Sequence, residues 1–373
     1  MEVLLENFNY ITWQMLVMWA IGGVLIYLAI AKEMEPTLLL PMGFGAILVN
    51  LPIAVPDTGV QHVLNTLFSI GIEGAELFPL MLFIGIGAMI DFTPLLTNPK
   101  LMIFGAAAQF GIFFTLAAAS LLGFEIQDAA SIAIIGAADG PTSIFVATEL
   151  GSKYLGAIMV AAYSYMALVP LIQPPIIKLC TTKAERKIKM QYKGKPVSRL
   201  TKILFPIVVT IIVGLVAPDA VALIGFLMFG NLIRECGVMS SISETAQNAL
   251  ANLITIFLGI TIASQMKAAD FLQPDTLIII GLGLIAFIFD TFGGVMVAKI
   301  MNIFSKEKIN PMIGAAGISA FPMSARVVHK MGLEEDNQNF LLMHSIGVNV
   351  SGQIASVIAG GLILALVKAM IGG

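Results

Sequence analysis

Charge is scarce in this sequence: 12% of its 373 residues are Asp, Glu, Lys or Arg, against a hydrophobic content of 58%. That is about half the ~25% charged fraction of a water-soluble globular chain, and it excludes a soluble enzyme. The net charge is −3, and the bases stand away from the apolar runs, so no face is offered to nucleic acid. Cysteine is nearly absent. Cys180 and Cys236 have neither CxxC spacing nor a histidine at ligand distance, which excludes a zinc site and a disulfide framework and leaves both as packing residues. No GxxxxGK[ST] loop is present to let ATP drive the chain directly. The opening MEVLLENFNY carries acids where a secretory leader carries bases, and no cleavage site follows the next apolar run. It is expected to stay attached.

What is present is lipid-compatible, with 35 Gly, 17 Pro and 21 Met among long apolar runs. A helix needs about 20 apolar residues to cross the hydrocarbon. Runs of that order cover 13–31, 36–56, 101–124, 155–177, 245–266 and 337–367, with shorter ones at 77–90, 203–218, 220–233 and 276–289. The expected fold is an all-α polytopic membrane protein of about 10–11 transmembrane helices.

Nine of the 20 basic residues fall between Lys178 and Lys202 (Lys178, Lys183, Arg186, Lys187, Lys189, Lys193, Lys195, Arg199 and Lys202), against the single acid Glu185. The positive-inside rule makes this loop cytoplasmic. It also separates two halves that resemble each other. LFIGIGA at 82–88 is similar to IFLGITI at 256–262, MGFGAILVN at 42–50 to IGFLMFGN at 224–231, and GAADGPTSIF at 136–145 to GAAGISAF at 314–321, all at offsets between 174 and 182 residues. Three pairs in one order at near-constant separation indicate an internal duplication. Six crossings per half would put the basic loop on the wrong side, so one element in each half must not cross. The Gly- and Pro-interrupted segments 128–149 and 310–330 are the natural choices. Five crossings per half then make the second half inverted relative to the first, with the two broken or re-entrant elements meeting near the midplane. The expected organisation is a first repeat at 1–177, a cytoplasmic linker at 178–202 and an inverted repeat at 203–373. Lys299, Lys306 and Lys308 fall inside, and the acidic stretch from Asp57 to Glu76 outside.

A charge in the hydrocarbon costs at least about 2.5–3.5 kcal/mol, so an acid in the middle of an apolar run needs a compensating purpose. Asp139 is such an acid, flanked by Gly136, Gly140 and Pro141 and followed by Thr142 and Ser143. Pro141 leaves a carbonyl one turn earlier without its helical donor. A carboxylate, two hydroxyls and free carbonyls suit a hard monovalent cation; the other reading of Asp139 is a structural ion pair within the bundle. The second broken element lacks an acid. Asn310 and Ser319 offer neutral oxygens there, and Arg326 is either a fork for an anionic carboxylate or an anchor at the cytoplasmic rim. Asn349 and Ser356, seven residues apart, share one face of an apolar helix that also carries Ser351 and Gln353, as cation ligands or as interhelical hydrogen bonds. Tyr165 is a proton donor or a buried hydroxyl with a helix partner. Asp290 lines the same cavity or pairs with a lysine. His344 reads as an interior histidine, and the sequon at Asn349 lies in the membrane and is discounted.

GAADGPTSIF, DTFGGVMVAKIMNIF, NPMIGAAGISAFPMSARVVHK and GVNVSGQIASVIAGG together resemble the beta subunit of the sodium-pumping, biotin-dependent decarboxylases of oxaloacetate, methylmalonyl-CoA, glutaconyl-CoA or malonate. The resemblance covers nearly the whole chain. It implies a membrane subunit that decarboxylates carboxybiotin and exports sodium, consuming a proton, in the inner membrane of a prokaryote. Its partners would be a carboxyltransferase alpha subunit, a biotin carrier subunit and a small membrane-anchored subunit, in a complex that is itself oligomeric. This chain has no Met-Lys-Met biotin acceptor, in keeping with a separate carrier. By the same likeness Asp139 matches the sodium-binding acid and Tyr165 a tyrosine of the same cavity. Asn310, Gly314, Ser319 and Arg326 match the functional stretch of the second element, with Gly314, Ser319 and Arg326 toward carboxybiotin. Asn349 and Ser356, with Thr142 and Ser143, complete the sodium oxygens. The compact chain leans toward an acyl-CoA version of the complex. A sodium-coupled anion symporter or sodium/proton antiporter is the rival reading.

Overall fold

The computed structural model describes residues 6–52, 59–74, 76–191, 194 and 196–371. Residues 1–5 of the opening segment, Pro56 and Asp57, and Lys193 and Lys195 of the basic loop lie outside the described residues. No strand occurs among those described. Seven helices are long and apolar enough to cross a membrane, or eight if the pair Val60–Glu73 and Leu77–Met89, bent by 63°, is one span. The larger number expected from the sequence includes shorter helices such as Pro36–Val49, whose 14 residues extend about 21 Å at 1.5 Å per residue, short of a ~30 Å hydrocarbon core.

In chain order we label α1 (Trp13–Ala31), α2 (Pro36–Val49), α3 (Leu77–Met89), α4 (Met102–Ala107), α5 (Phe110–Leu121), α6 (Ile126–Ala133), α7 (Gly140–Glu149), α8 (Leu155–Cys180), α9 (Arg199–Val216), α10 (Val221–Glu235), α11 (Ala251–Ala263), α12 (Pro274–Phe304), α13 (Met323–Glu335) and α14 (Leu342–Ile371). Lipid gives helices no hydrophobic reason to associate, so close backbone approach over small residues has to hold them together. Two helix pairs do this alike. Between α3 and α10, a Cβ on Gly87 would lie 1.8 Å from the Leu227 carbonyl oxygen, and one on Gly230 would lie 2.1 Å from that of Ile84. Between α2 and α11, a Cβ on Gly45 would lie 2.5 Å from that of Ala263, and one on Gly259 would lie 3.0 Å from the Leu38 carbonyl oxygen. An asparagine closes each pair. Asn231 Nδ2 donates to the Ile90 carbonyl at 2.8 Å, and Asn50 Nδ2 to the Met266 carbonyl at 2.7 Å.

Two segments fold back on themselves. In the first, α6 continues as a 3-10 turn at Ile134–Ala137, breaks, and returns as α7. Its two ends lie together, with Ser152 donating to Asp128 at 2.7 Å and Lys153 3.4 Å from Glu125. The second comprises a 3-10 stretch at Pro311–Gly317, a break, and α13. Its two ends also lie together, because Asn310 and Asn339 each donate through Nδ2 to the Arg186 carbonyl at 2.9 Å. Helix α12 relates the two hairpins. It starts beside the ends of the first, where Tyr154 donates to Asp275 at 2.9 Å. It finishes beside the basic loop that holds the ends of the second, where Lys299 reaches the Cys180 carbonyl at 3.0 Å and Glu185 at 3.2 Å. With 31 residues α12 is about 46 Å long. The hairpins therefore open toward opposite ends of the molecule, and their tips meet where Ser319 N–H donates to the Ala137 carbonyl at 2.9 Å.

The basic loop is bound down onto α13. Arg186 pairs with Glu335 at 2.6 Å and Lys189 with Asp336 at 3.1 Å. The hydrogen bond from Arg186 holds the Glu335 carboxyl below its ordinary range. The Gln338 backbone N–H, followed by Lys189, does the same for Asp336. Depressed carboxyl pKa values stabilise the docked loop fully above the ordinary carboxylate range, and that contribution is lost as pH falls through the depressed values. Glu335→Gln fixes the neutral form at any pH. It is expected to speed tryptic cleavage after Lys183, Arg186 and Lys189 at pH 8, whereas unchanged cleavage would show that the Lys189–Asp336 pair with Asn310 and Asn339 holds the loop without Glu335.

Candidate cation site

The break in the first hairpin begins at Ala138, whose φ of +51° is left-handed, a conformation that costs a non-glycine residue roughly 1–2 kcal/mol. It turns the chain so that Asp139 becomes the N-cap of α7, with Oδ1 accepting from Thr142 N–H at 3.3 Å. Pro141, in the first turn, needs no donor there. The other oxygen, Oδ2, faces the second hairpin and α14. It accepts from Ser319 Oγ at 2.9 Å, Ser356 Oγ at 2.8 Å and Gln353 Nε2 at 3.1 Å. Ser319 and Ser356 are themselves 2.9 Å apart. Asp139 is 3% exposed, and no ion pair among the described residues includes it. The carboxylate is thus surrounded by neutral donors with no counter-charge, which does not match a structural ion pair.

Oxygens in this neighbourhood are available to a cation. The Thr142 hydroxyl and Asn349 Oδ1 are buried without a hydrogen-bond partner. Asn349 is placed by its Nδ2, which donates 2.7 Å to the Ile318 carbonyl beside Ser319. Each serine hydroxyl has lone pairs left after donating to Asp139. A carboxylate, three hydroxyls and an amide oxygen fit a small hard cation, which prefers oxygen ligands and a negative net charge. Ser143 is the weaker member. Its hydroxyl bonds back to the Asp139 carbonyl at 2.9 Å, the local contact a serine makes inside a helix.

Other sequence-level candidates lie elsewhere. Asn310 is used as a clamp: Nδ2 donates to the Arg186 and Ile188 carbonyls, both at 2.9 Å, and Oδ1 accepts from Met312 N–H. Gly314 lies against α12, where a Cβ would meet the Gly294 carbonyl oxygen at 2.1 Å. The Tyr165 hydroxyl donates to the Ile280 carbonyl of α12. Arg326 makes no hydrogen bond or ion pair to Asp139; it is exposed on α13, and its charge acts on Glu35, in the turn between α1 and α2. Burial raises the Glu35 carboxyl and Arg326 pulls it back down.

Gln353, read from the sequence alongside Asn349 and Ser356, stands four residues after the one and three before the other, so the three share one face of α14. One residue beside the site was not singled out from the sequence. Tyr163 is fully buried with its hydroxyl unpartnered and its ring against Gly140, where a Cβ would lie 2.3 Å away. Nothing in the sequence distinguishes it from Tyr165.

Fold and site define a multi-pass helical membrane protein with an uncompensated carboxylate where two oppositely opening hairpins touch. Over residues 14–367 the chain matches the family described as Na+-transporting oxaloacetate decarboxylase beta subunit, and it belongs to that family. It is 50% identical to the glutaconyl-CoA decarboxylase subunit beta of Acidaminococcus fermentans, over 97% of this chain and 96% of that one. Identity to the methylmalonyl-CoA decarboxylase subunit beta of Propionigenium modestum is 49%, over 94% of each chain. Identity to the oxaloacetate decarboxylase beta chain of Haemophilus ducreyi is 46%, over 97% of each. These relatives are beta subunits, so the chain is one member of a multisubunit decarboxylase complex. Oxaloacetate and acyl-CoA types stand at nearly equal identity, so the lean toward an acyl-CoA version is not carried by the likeness.

Proposed function

We propose that this chain decarboxylates carboxybiotin, delivered on a separate carrier subunit, and couples that step to export of sodium across the cell membrane, consuming a proton. The single observation that carries the reading is Asp139 itself, a buried carboxylate held only by neutral hydroxyl and amide donors at the junction of two opposed hairpins. Sodium is the cargo. Asp139, Ser319, Ser356, Thr142 and Asn349 would ligate it, with the serine hydroxyls turning their protons away and their lone pairs inward. Ser319 belongs to one hairpin and Asp139 to the other, so loading the cation alters the joint between them.

Moving one sodium outward against about 100 mV costs roughly 2.3 kcal/mol before any concentration difference. Coupling requires access from one side at a time. Support for a pair of inverted repeats comes from the exchanged contacts: the 42–50 segment of one half packs on the 256–262 segment of the other, and 224–231 packs on 82–88. Two such halves give two related arrangements of similar energy around a central site. Arg326, exposed toward the end of the molecule that bears the basic loop, is the guanidinium that would receive the carboxylate of carboxybiotin, with Ser319 at the inner end of that route. Carboxyl transfer from the organic acid then belongs to an alpha subunit, and a small membrane-anchored subunit completes the complex.

The test is the complex in sealed vesicles, supplied with free carboxybiotin. Sodium-dependent release of carbon dioxide with accumulation of labelled sodium is expected. Sodium-driven uptake of a labelled organic anion without any biotin compound would instead establish a symporter.

A further inference from the structure

Asp290 lies in the middle of α12, fully buried, yet among the described residues it pairs with no lysine and is absent from the Asp139 cluster. Its place is explained by a neighbouring helix end. The span at 99–121 is interrupted at Gln109, leaving the first N–H groups of α5 without intrahelical acceptors. Asp290 Oδ1 accepts from the N–H of Gly111, the second residue of α5. An acid from one helix thus caps another, where the partial positive charge of the helix start favours it. Oδ2 has no hydrogen-bond partner. It faces the first hairpin, where a Cβ on Gly136 would lie 2.7 Å from Oδ2 and 2.7 Å from the Ala286 Cβ. Gly136 is three residues before Asp139, and Ala137, next to it, accepts the hydrogen bond from Ser319.

We propose that Asp290 is a positioning residue for the cation site: by capping α5 and bearing on Gly136 it seats the tip of the first hairpin, and so sets where Asp139 meets Ser319 and Ser356. The inference rests on Asp139 being a sodium ligand. Asp290 contributes geometry to that site.

The experiment compares Asp290→Asn and Asp290→Ala with wild type in the assembled complex, reading sodium-specific thermal stabilisation over potassium and the sodium dependence of carboxybiotin decarboxylation. Asparagine keeps an acceptor for the Gly111 N–H and is expected to retain wild-type half-saturation. Alanine removes the cap and is expected to raise half-saturating sodium about tenfold, the fold-change that loss of a helix cap corresponds to, with a much smaller effect on the rate at saturating sodium. Equal damage from both variants would overturn the proposal by making the charge the essential feature, as would a silent alanine variant. If Asp290→Ala does not assemble, Gly136→Ala displaces the same tip from the other side and is expected to show the same shift; unchanged sodium dependence there would refute the seating role. Absence of sodium-specific stabilisation in wild type would instead remove the sodium reading of Asp139.

Discussion

Asp139→Asn is expected to abolish sodium-dependent decarboxylation, by a hundredfold or more at about any attainable sodium concentration, in a complex that still assembles. Asparagine has the same size, and its oxygen can still accept from Ser319 and Ser356. What it lacks is the charge. A cation leaving water for this buried site loses hydration worth several kcal/mol even after relaxation, and only the Asp139 carboxylate offsets that with an opposite charge. The amide nitrogen then takes the place of Oδ1 and sets a donor against the Thr142 N–H. A sodium titration of carbon dioxide release in vesicles, with yield and thermal stability as assembly controls, decides the matter. A variant slowed only modestly at saturating sodium would remove Asp139 from the ion's path.

Gly314→Val is expected to eliminate most of the folded complex recoverable from membranes. The 3-10 stretch of the second hairpin rests on α12 with Gly314 and Gly294 opposed: a Cβ on either would lie 2.1 Å from the other's carbonyl oxygen. On its other sides, a Cβ on Gly317 would lie 2.6 Å from the Phe104 carbonyl oxygen, and one on Gly352 would lie 2.1 Å from that of Gly317. Backbone atoms cannot move aside as a side chain does, so the overlap costs more than the roughly 1–3 kcal/mol of ordinary overpacking. The family resemblance assigns Gly314 to carboxybiotin. Assembled Gly314→Val complex with a raised half-saturation for carboxybiotin would support that role over the packing one, and membrane yield separates the two.

The sequence made the centre of the site readable because an acid in the hydrocarbon is an energetic anomaly. Asp139 could be located from that cost, and both breaks from their Gly and Pro interruptions together with the parity of crossings that the basic loop imposes. Ser319 and Ser356 followed from position, and both reach Asp139 Oδ2. Asn310 and Arg326 were legible as polar residues but not in what they touch. The clamp at Asn310 depends on the basic loop folding back over 120 residues of chain, and no local pattern encodes that path. Asp290 misled the reading of helix length for a related reason. Ending a span at the first charge gave 276–289, whereas α12 continues to Phe304, with the acid received at the start of α5 by the Gly111 N–H. Charge rules locate helix ends only where water, and not another helix, solvates the charge.

The exchanged asparagines have a consequence for what counts as a folding unit. Asn50 closes a helix end of the first half on the backbone of the second, and Asn231 does the reverse. Separating the halves would strip the Met266 and Ile90 carbonyls of the amide donors that now satisfy them. Neither half is then an autonomous domain. The basic loop between the halves is therefore no thermodynamic boundary, and the cooperative unit is the interlocked whole.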